Sequence, residues 1–166
     1  GDWGRSLFTN QTVLTEIRHW GYSAGGFAEH YDRYRPRPPE VLLDMLPRVA
    51  GVERPELVVD IGSGTGLSTR FWADRAARVV GVEPNPEMRV VAVAATDTPN
   101  VTYTEASSYD TGLADACADL VTCSQSLQWM EPGPTFAEIA RILRPGGLFA
   151  AYEYRCAITS FNAIDA

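Results

Sequence analysis

Val58-Val59-Asp60-Ile61-Gly62-Ser63-Gly64-Thr65-Gly66 is the stretch that decides how this chain folds. It opens as an apolar run, acquires an acid at Asp60, and then carries glycine at every second position. Such a run reads as a buried strand breaking into a tight loop, with a helix starting near Leu67. Glycine lacks a Cβ, so the loop backbone can pass close to a ligand. The helix N-terminus behind it then presents free N–H groups to that ligand.

Outward from this loop, the chain beyond Glu56 alternates strands and helices. Strands are predicted at 56–61, 78–83, 100–104, 119–123 and 147–154, with helices at 67–77, 86–95 and 135–144. Thr135 and Glu138 are spaced as a capping box for the last helix, and Phe136, Ile139, Ala140 and Leu143 form its expected apolar stripe. Pro145-Gly146-Gly147 supplies a turn into the final strand. Strand–helix alternation implies right-handed crossovers and a mostly parallel sheet, an α/β fold with its ligand beyond the carboxyl ends of the strands.

Residues 1–55 lack strand-like runs and read as a helical lid or cap, leaving 56–166 as the core. Short helices are expected at 10–20 and 23–34, with Ser23 a candidate N-cap, before Arg35-Pro36-Arg37-Pro38-Pro39 breaks the chain. A third helix over 39–49 would bury Val41, Leu42, Met45 and Leu46 and stop at Gly51.

Composition narrows the functional classes. Fourteen basic residues, all arginine, face twenty-one acidic ones, for a net charge of −7. That balance argues against sequence-independent nucleic-acid binding, which needs a basic surface to displace counterions. Cys117, Cys123 and Cys156 form no C-x-x-C pair, and Cys123 sits in an apolar run as a small core residue. A reducing, cytoplasmic setting is expected, without a signal peptide or an apolar run of the roughly 18 residues that a membrane span requires. His19 and His30 stand far from any matched acid or cysteine spacing, so no metal site is expected.

Glycine spacing separates two readings of the loop. A dinucleotide-binding turn follows G-x-G-x-x-G, which would require glycine where this chain has Leu67 or Thr69. Glu83 ends the second strand, 21 residues beyond Gly62. A carboxylate there can accept two hydrogen bonds from the vicinal hydroxyls of a ribose; the alternative is an ordinary exposed acid at a strand end.

The D-x-G-x-G-x-G loop, Gly81-Val82-Glu83-Pro84, and Arg141-Ile142-Leu143-Arg144-Pro145-Gly146-Gly147 occur together in the order and spacing of class I S-adenosylmethionine-dependent methyltransferases. From Tyr31 to Tyr154 the chain resembles the small-molecule enzymes related to ubiquinone/menaquinone-biosynthesis and trans-aconitate methyltransferases, down to Tyr31-x-x-Tyr34-Arg35-Pro36 in the lid. The resemblance implies a Rossmann-like core and S-adenosyl-L-methionine as methyl donor, with S-adenosyl-L-homocysteine as product. Asp60 and the backbone at Gly62, Ser63 and Gly64 would hold the methionine part. Glu83 would bind the ribose, and Pro84 with Met88 would pack on the adenine. Many relatives carry a Gly-Asp pair after the third strand; this chain has Ala106-Ser107, so Ser107 would meet the adenine amino group through a hydroxyl, or is a plain loop serine.

Ser124-Gln125-Ser126-Leu127-Gln128-Trp129 would then lie at the edge of the methyl-transfer site, with Ser124 on the cofactor and Gln125 beside the sulfonium. Gln128 stands where relatives often have histidine, and Trp129 is expected in the core under the next helix. His30 and Tyr31 are the lid's catalytic candidates, with partly exposed helix residues as the simpler reading. Tyr22, Phe27, Tyr31 and Tyr34 would either close over the substrate or pack the lid. The expected partner is a small-molecule acceptor, rather than nucleic acid or a membrane.

The family's sheet has seven strands, and only twelve residues follow Tyr154. The C-terminal part of the fold is therefore expected to be missing, from a cut or clipped chain, a natural fragment, or a homodimer that completes the sheet at its exposed edge. Two rival readings stay open: a cofactor-binding module without transfer activity, and an NAD-dependent oxidoreductase.

Overall fold

Leu57–Ile61 is buried along its whole length and forms β1, the middle strand of the molecule. The computed structural model describes residues 37–153. The expected helices at 10–20 and 23–34, the lid residues His19, Tyr22, Phe27, His30, Tyr31 and Tyr34, and Cys156 lie outside the described residues.

β2 (Arg78–Val82), β3 (Val101–Thr104), β4 (Ala118–Ser124) and β5 (Leu143–Tyr152) join β1 in a five-stranded sheet of order β3-β2-β1-β4-β5. All four pairings are parallel. A parallel strand covered on both faces need not alternate polar and apolar residues, and β1 and β4 are buried almost throughout, Asp60, Asp119 and Thr122 included. Strand order reverses between β1 and β4, so their carboxyl ends diverge into a crevice.

Four helices among the described residues, α1 (Val41–Val49), α2 (Leu67–Phe71), α3 (Pro86–Ala94) and α4 (Pro132–Ile142), cover this sheet. Leu57, Val59, Ile61, Val121 and Cys123 pack with Ile139 and Ile142 of α4. On the opposite face Val58, Val79 and Leu120 pack with Leu43 and Leu46 of α1 and with Trp72.

Local expectations were corrected where tertiary packing chose a different face. α1 buries Leu43 and Leu46 while Val41 and Met45 are exposed, because Leu42 and Leu43 are adjacent and the sheet selects the latter. α2 stops at Phe71 rather than 77. The chain then turns tightly, Arg75 and Ala76 N–H both donating to the Trp72 carbonyl, which sinks the Trp72 and Ala76 side chains into the core. α4 starts at Pro132, ahead of the expected cap. Thr135 lies inside the helix with its hydroxyl 2.7 Å from that of Ser108, and Glu138 accepts from Thr111 N–H at 2.8 Å and from its hydroxyl at 2.6 Å. The capping box does not form because both side chains are drawn inward to fasten the 108–111 loop. The buried stripe is accordingly Thr135, Glu138, Ile139 and Ile142. Pro145-Gly146-Gly147 proves to be a bulge inside β5: Ala118 pairs with Leu143 but Leu120 pairs with Leu148.

Gly66 shows why the loop tolerates no side chain at its last glycine. Its φ is +80°, and a Cβ built there would stand 2.2 Å from the hydroxyl oxygen of Tyr103. Tyr103 cannot swing away freely, since that oxygen lies 2.9 Å from the Thr96 hydroxyl. Gly64 has φ +54° but nothing within 4 Å of its Cβ direction. Gly66→Ala is therefore expected to destabilise the protein by about 3 kcal/mol through overpacking and left-handed backbone together, and Gly64→Ala by only about 1 kcal/mol. Urea unfolding midpoints of the two variants would check this; equal losses would refute the Tyr103 contact.

Candidate functional site

The glycine loop is fastened to the strand beside it. Gly62 and Ser63 N–H groups both donate to the Val82 carbonyl, at 2.8 and 3.1 Å. Glu83, next along the chain, closes the connection from the other side. Its carboxylate accepts from Gly64 N–H at 2.9 Å and from Asn85 N–H at 3.0 Å, one bond to each oxygen. Each oxygen keeps a further lone pair for a ligand hydroxyl. Ser63 Oγ is buried without a hydrogen-bond partner among the described residues. An orphaned hydroxyl in a loop of this kind is an unmet binding capacity.

Asp60 lies beneath the loop and is only 1% exposed. One carboxylate oxygen accepts from the Thr69 hydroxyl of α2 at 2.7 Å, and the other from the Thr122 hydroxyl of β4 at 2.9 Å. Burial raises its pKa to about 6; the two hydroxyl bonds hold the value down, and the nearby Glu83 charge adds to the rise. Asp60 beneath the loop and Glu83 beside it place two carboxylates at this end of the sheet, a local charge that favours a cationic ligand.

Pro84 is exposed, whereas Met88 is buried on the inner side of α3, so Pro84 offers the larger surface. Ser107 is half-buried beyond the end of β3, and its carbonyl accepts from Asp110 N–H at 3.4 Å. These residues stand at the carboxyl ends of the neighbouring strands β2 and β3.

At the end of β4, Ser124 lies opposite Tyr152. Gln125 follows with φ +53°, a left-handed conformation that is costly for a side-chain-bearing residue, and its N–H donates to the Tyr152 carbonyl at 3.0 Å. Gln125 and Tyr152, with Cys123, Gln128 and Glu153, line an open pocket of about 100 Å³. Burial pushes the Cys123 thiol up to about 12, so it is a neutral wall rather than a nucleophile. The pocket abuts the glycine loop twice: Ser126 donates to the Ile61 carbonyl at 2.9 Å, and Tyr152 Oη lies 3.0 Å from Ser68 Oγ. Trp129, expected in the core, is 56% exposed; the 3₁₀ turn at Leu127–Trp129 points it outward.

Asp60, Gly62, Ser63, Gly64 and Glu83 are thus brought into one connected loop–strand assembly, with Ser124 and Gln125 at the adjacent strand end. His30 and Tyr31 lie outside the described residues. Sequence reasoning placed Ser126 at the site's edge but missed Thr69, Thr122 and Tyr152. Only Thr122, a hydroxyl within an apolar strand, carried a local signal. Among the described residues there is no group of three or more His, Cys, Asp or Glu arranged to hold a metal ion, and no helix is long and apolar enough to cross a membrane.

Because the Asp60 pKa is higher in the fold than in the unfolded chain, the fold binds the extra proton between pH about 4 and about 6. The Asp60 contribution to stability is full below that window and is lost as pH rises through about 6. An Asp60→Asn variant has no such proton. Its stability relative to the parent is expected to improve by about 2–3 kcal/mol between pH 4 and pH 7. Denaturant titrations at both pH values measure the difference, and an unchanged gap would exclude the raised pKa.

A family model described as a methyltransferase domain matches residues 59–151. An uncharacterised methyltransferase of Mycobacterium tuberculosis is 36% identical over 131 residues, covering 78% of this chain and 51% of the relative. Among solved structures, an inferred type II methyltransferase from Anaeromyxobacter dehalogenans superposes with a TM-score of 0.67 at 33% identity, over 74% of this chain and 50% of that one. An S-adenosylmethionine-dependent methyltransferase from Mesorhizobium loti gives a TM-score of 0.58 at 29% identity, over 67% and 50%. The chain spans about half the length of these relatives. The five parallel strands, the glycine loop and these matches agree, and the chain belongs to the methyltransferase domain family of Rossmann-like class I proteins.

Proposed function

We propose that this chain binds S-adenosyl-L-methionine at the glycine loop and transfers its methyl group to a small-molecule acceptor held in the pocket beside it. The observation that carries the reading is the Glu83 carboxylate bonded to Gly64 N–H at 2.9 Å, which joins the expected ribose acceptor to the loop in one unit. Three further features fit the cofactor. Ser63 Oγ is buried and unpartnered among the described residues, the Cβ direction of Gly64 is open, and the two carboxylates of Asp60 and Glu83 at the loop suit a sulfonium. Gly62, Ser63 and Gly64 would hold the methionine part, Glu83 the ribose, and Pro84, Met88 and Ser107 the adenine side. Ser124 and Gln125 would face the reacting end.

Asp60 has a modified role in this reading. With both oxygens engaged by Thr69 and Thr122, it acts by setting the loop and by its charge, rather than as a direct ligand.

The cofactor supplies a methyl group already activated on positively charged sulfur. The protein then has to hold the acceptor in line with it and exclude water, effects worth up to about 7–11 kcal/mol. Gln125 and Tyr152 line the acceptor pocket and can orient a neutral acceptor by hydrogen bonds. The open side of β5, an edge of the sheet among the described residues, is the surface on which a second copy would pair.

Calorimetric titration with S-adenosyl-L-homocysteine tests the proposal. Micromolar binding is expected, weakened at least about tenfold (~1.4 kcal/mol) by Glu83→Ala. A folded chain that binds NADH more tightly than S-adenosyl-L-homocysteine would replace this reading with the oxidoreductase one. Binding without methylation of any acceptor in a radiolabelled-methyl screen would leave a cofactor-binding module.

A further inference from the structure

Arg89 of α3 is 14% exposed at its side chain, and it spans the gap between two strand ends. Its Nη1 donates to the main-chain carbonyl of Glu83 at 2.7 Å. Its Nη2 pairs with the carboxylate of Glu105, the residue directly after β3. The β2–β3 ladder ends at the pair Val82 and Thr104, and Glu83 N–H donates to the Thr104 carbonyl at 3.1 Å. Arg89 therefore adds one more cross-link just past the last rung, where the sheet itself no longer controls spacing.

Glu83 is consequently held at every polar atom it has. Its N–H is fixed by Thr104, its carbonyl by Arg89, and its two carboxylate oxygens by Gly64 and Asn85. Asn85 is fixed in turn, because its side chain accepts from Glu87 and Met88 N–H groups to start α3. A carboxylate that must take two vicinal hydroxyls at once gains from this restraint, since a loose one samples geometries that reach only one. A forked guanidinium carries separate rigid donors that reach a carbonyl and a carboxylate from one stem. Glu105 is 74% exposed at its side chain, so that ion pair contributes little by itself and serves mainly to aim the guanidinium.

We infer that Arg89 is a positioning residue for the Glu83 carboxylate, and that through it the site selects a nucleoside bearing a 2′-hydroxyl. This rests on the cofactor reading given above.

The test titrates the full chain with S-adenosyl-L-homocysteine and with its 2′-deoxyribose analogue, and records the ratio of the two affinities. The wild-type chain is expected to prefer the ribose ligand by about tenfold. Arg89→Ala should bring that ratio to within about threefold by weakening only the ribose ligand. Arg89→Met keeps the apolar stem packed but removes both bonds, so it should behave alike if the alanine variant fails to fold. A folded Arg89→Met chain that keeps the wild-type ratio, or loses both ligands by the same factor, overturns the inference. Failure of the underlying reading is distinguishable. In that case the wild-type chain binds neither ligand, or Glu83→Ala leaves the ratio unchanged, and the inference falls with it.

Discussion

A single buried carboxylate organises the working end of this fold. Asp60 is the next-to-last residue of a strand whose other residues are apolar, and its two oxygens reach Thr69 on α2 and Thr122 on β4. Those bonds connect the central strand to the helix that follows the glycine loop and to the strand on the far side of the crevice. A buried charge satisfied only by hydroxyls is costly to keep ionised, which is why its pKa rises to about 6. An apolar residue of that size could accept neither the Thr69 nor the Thr122 hydroxyl, so the links from β1 to α2 and β4 would be lost.

The opposite end of the sheet is fastened by different chemistry, which shows what is particular to the site. There Asp119 accepts from Glu56 and Leu57 N–H groups at 2.7 and 3.1 Å and pairs with Arg144. Burial by itself would raise the Asp119 pKa, but Arg144 and the two N–H groups outweigh it and the value is lowered. Asp119 is a charge fully matched to its surroundings; Asp60 is not. Glu138 belongs with Asp119: its bonds to Arg141 hold it down to about 2, against the opposing effect of burial, with the Thr111 bonds assisting. Of these three acids, the one beside the glycine loop has the least compensated charge.

Much of the core was legible because its signals are local. The run 57–61 is hydrophobic enough to be a strand in any context, and alternating glycines can follow it only as a loop. The helix over 86–94 carries its own cap in Asn85. Errors appeared where two local solutions were nearly equal. Leu42 and Leu43 are equivalent candidates for the buried side of α1; both pack against the Val58–Leu120 cluster, and the tertiary fit buries Leu43 fully but Leu42 only in part. Thr135 and Glu138 match a capping box in spacing, yet loop 108–111 supplied better partners from 27 residues away.

The sequence by itself determined the parallel sheet, the glycine loop and the acid at the end of β2, since each follows from apolar periodicity, backbone freedom or charge at one position. Tertiary structure decided how those pieces work together. The pairing of Asp60 with Thr69 and Thr122, the Tyr103 ring against Gly66, the approach of Tyr152 to Ser68, and the anchoring of Glu83 by Arg89 all join residues on different elements. Such contacts depend on the distance and angle between packed elements. No spacing along the chain encodes those quantities, because they exist only once the helices have settled on the sheet.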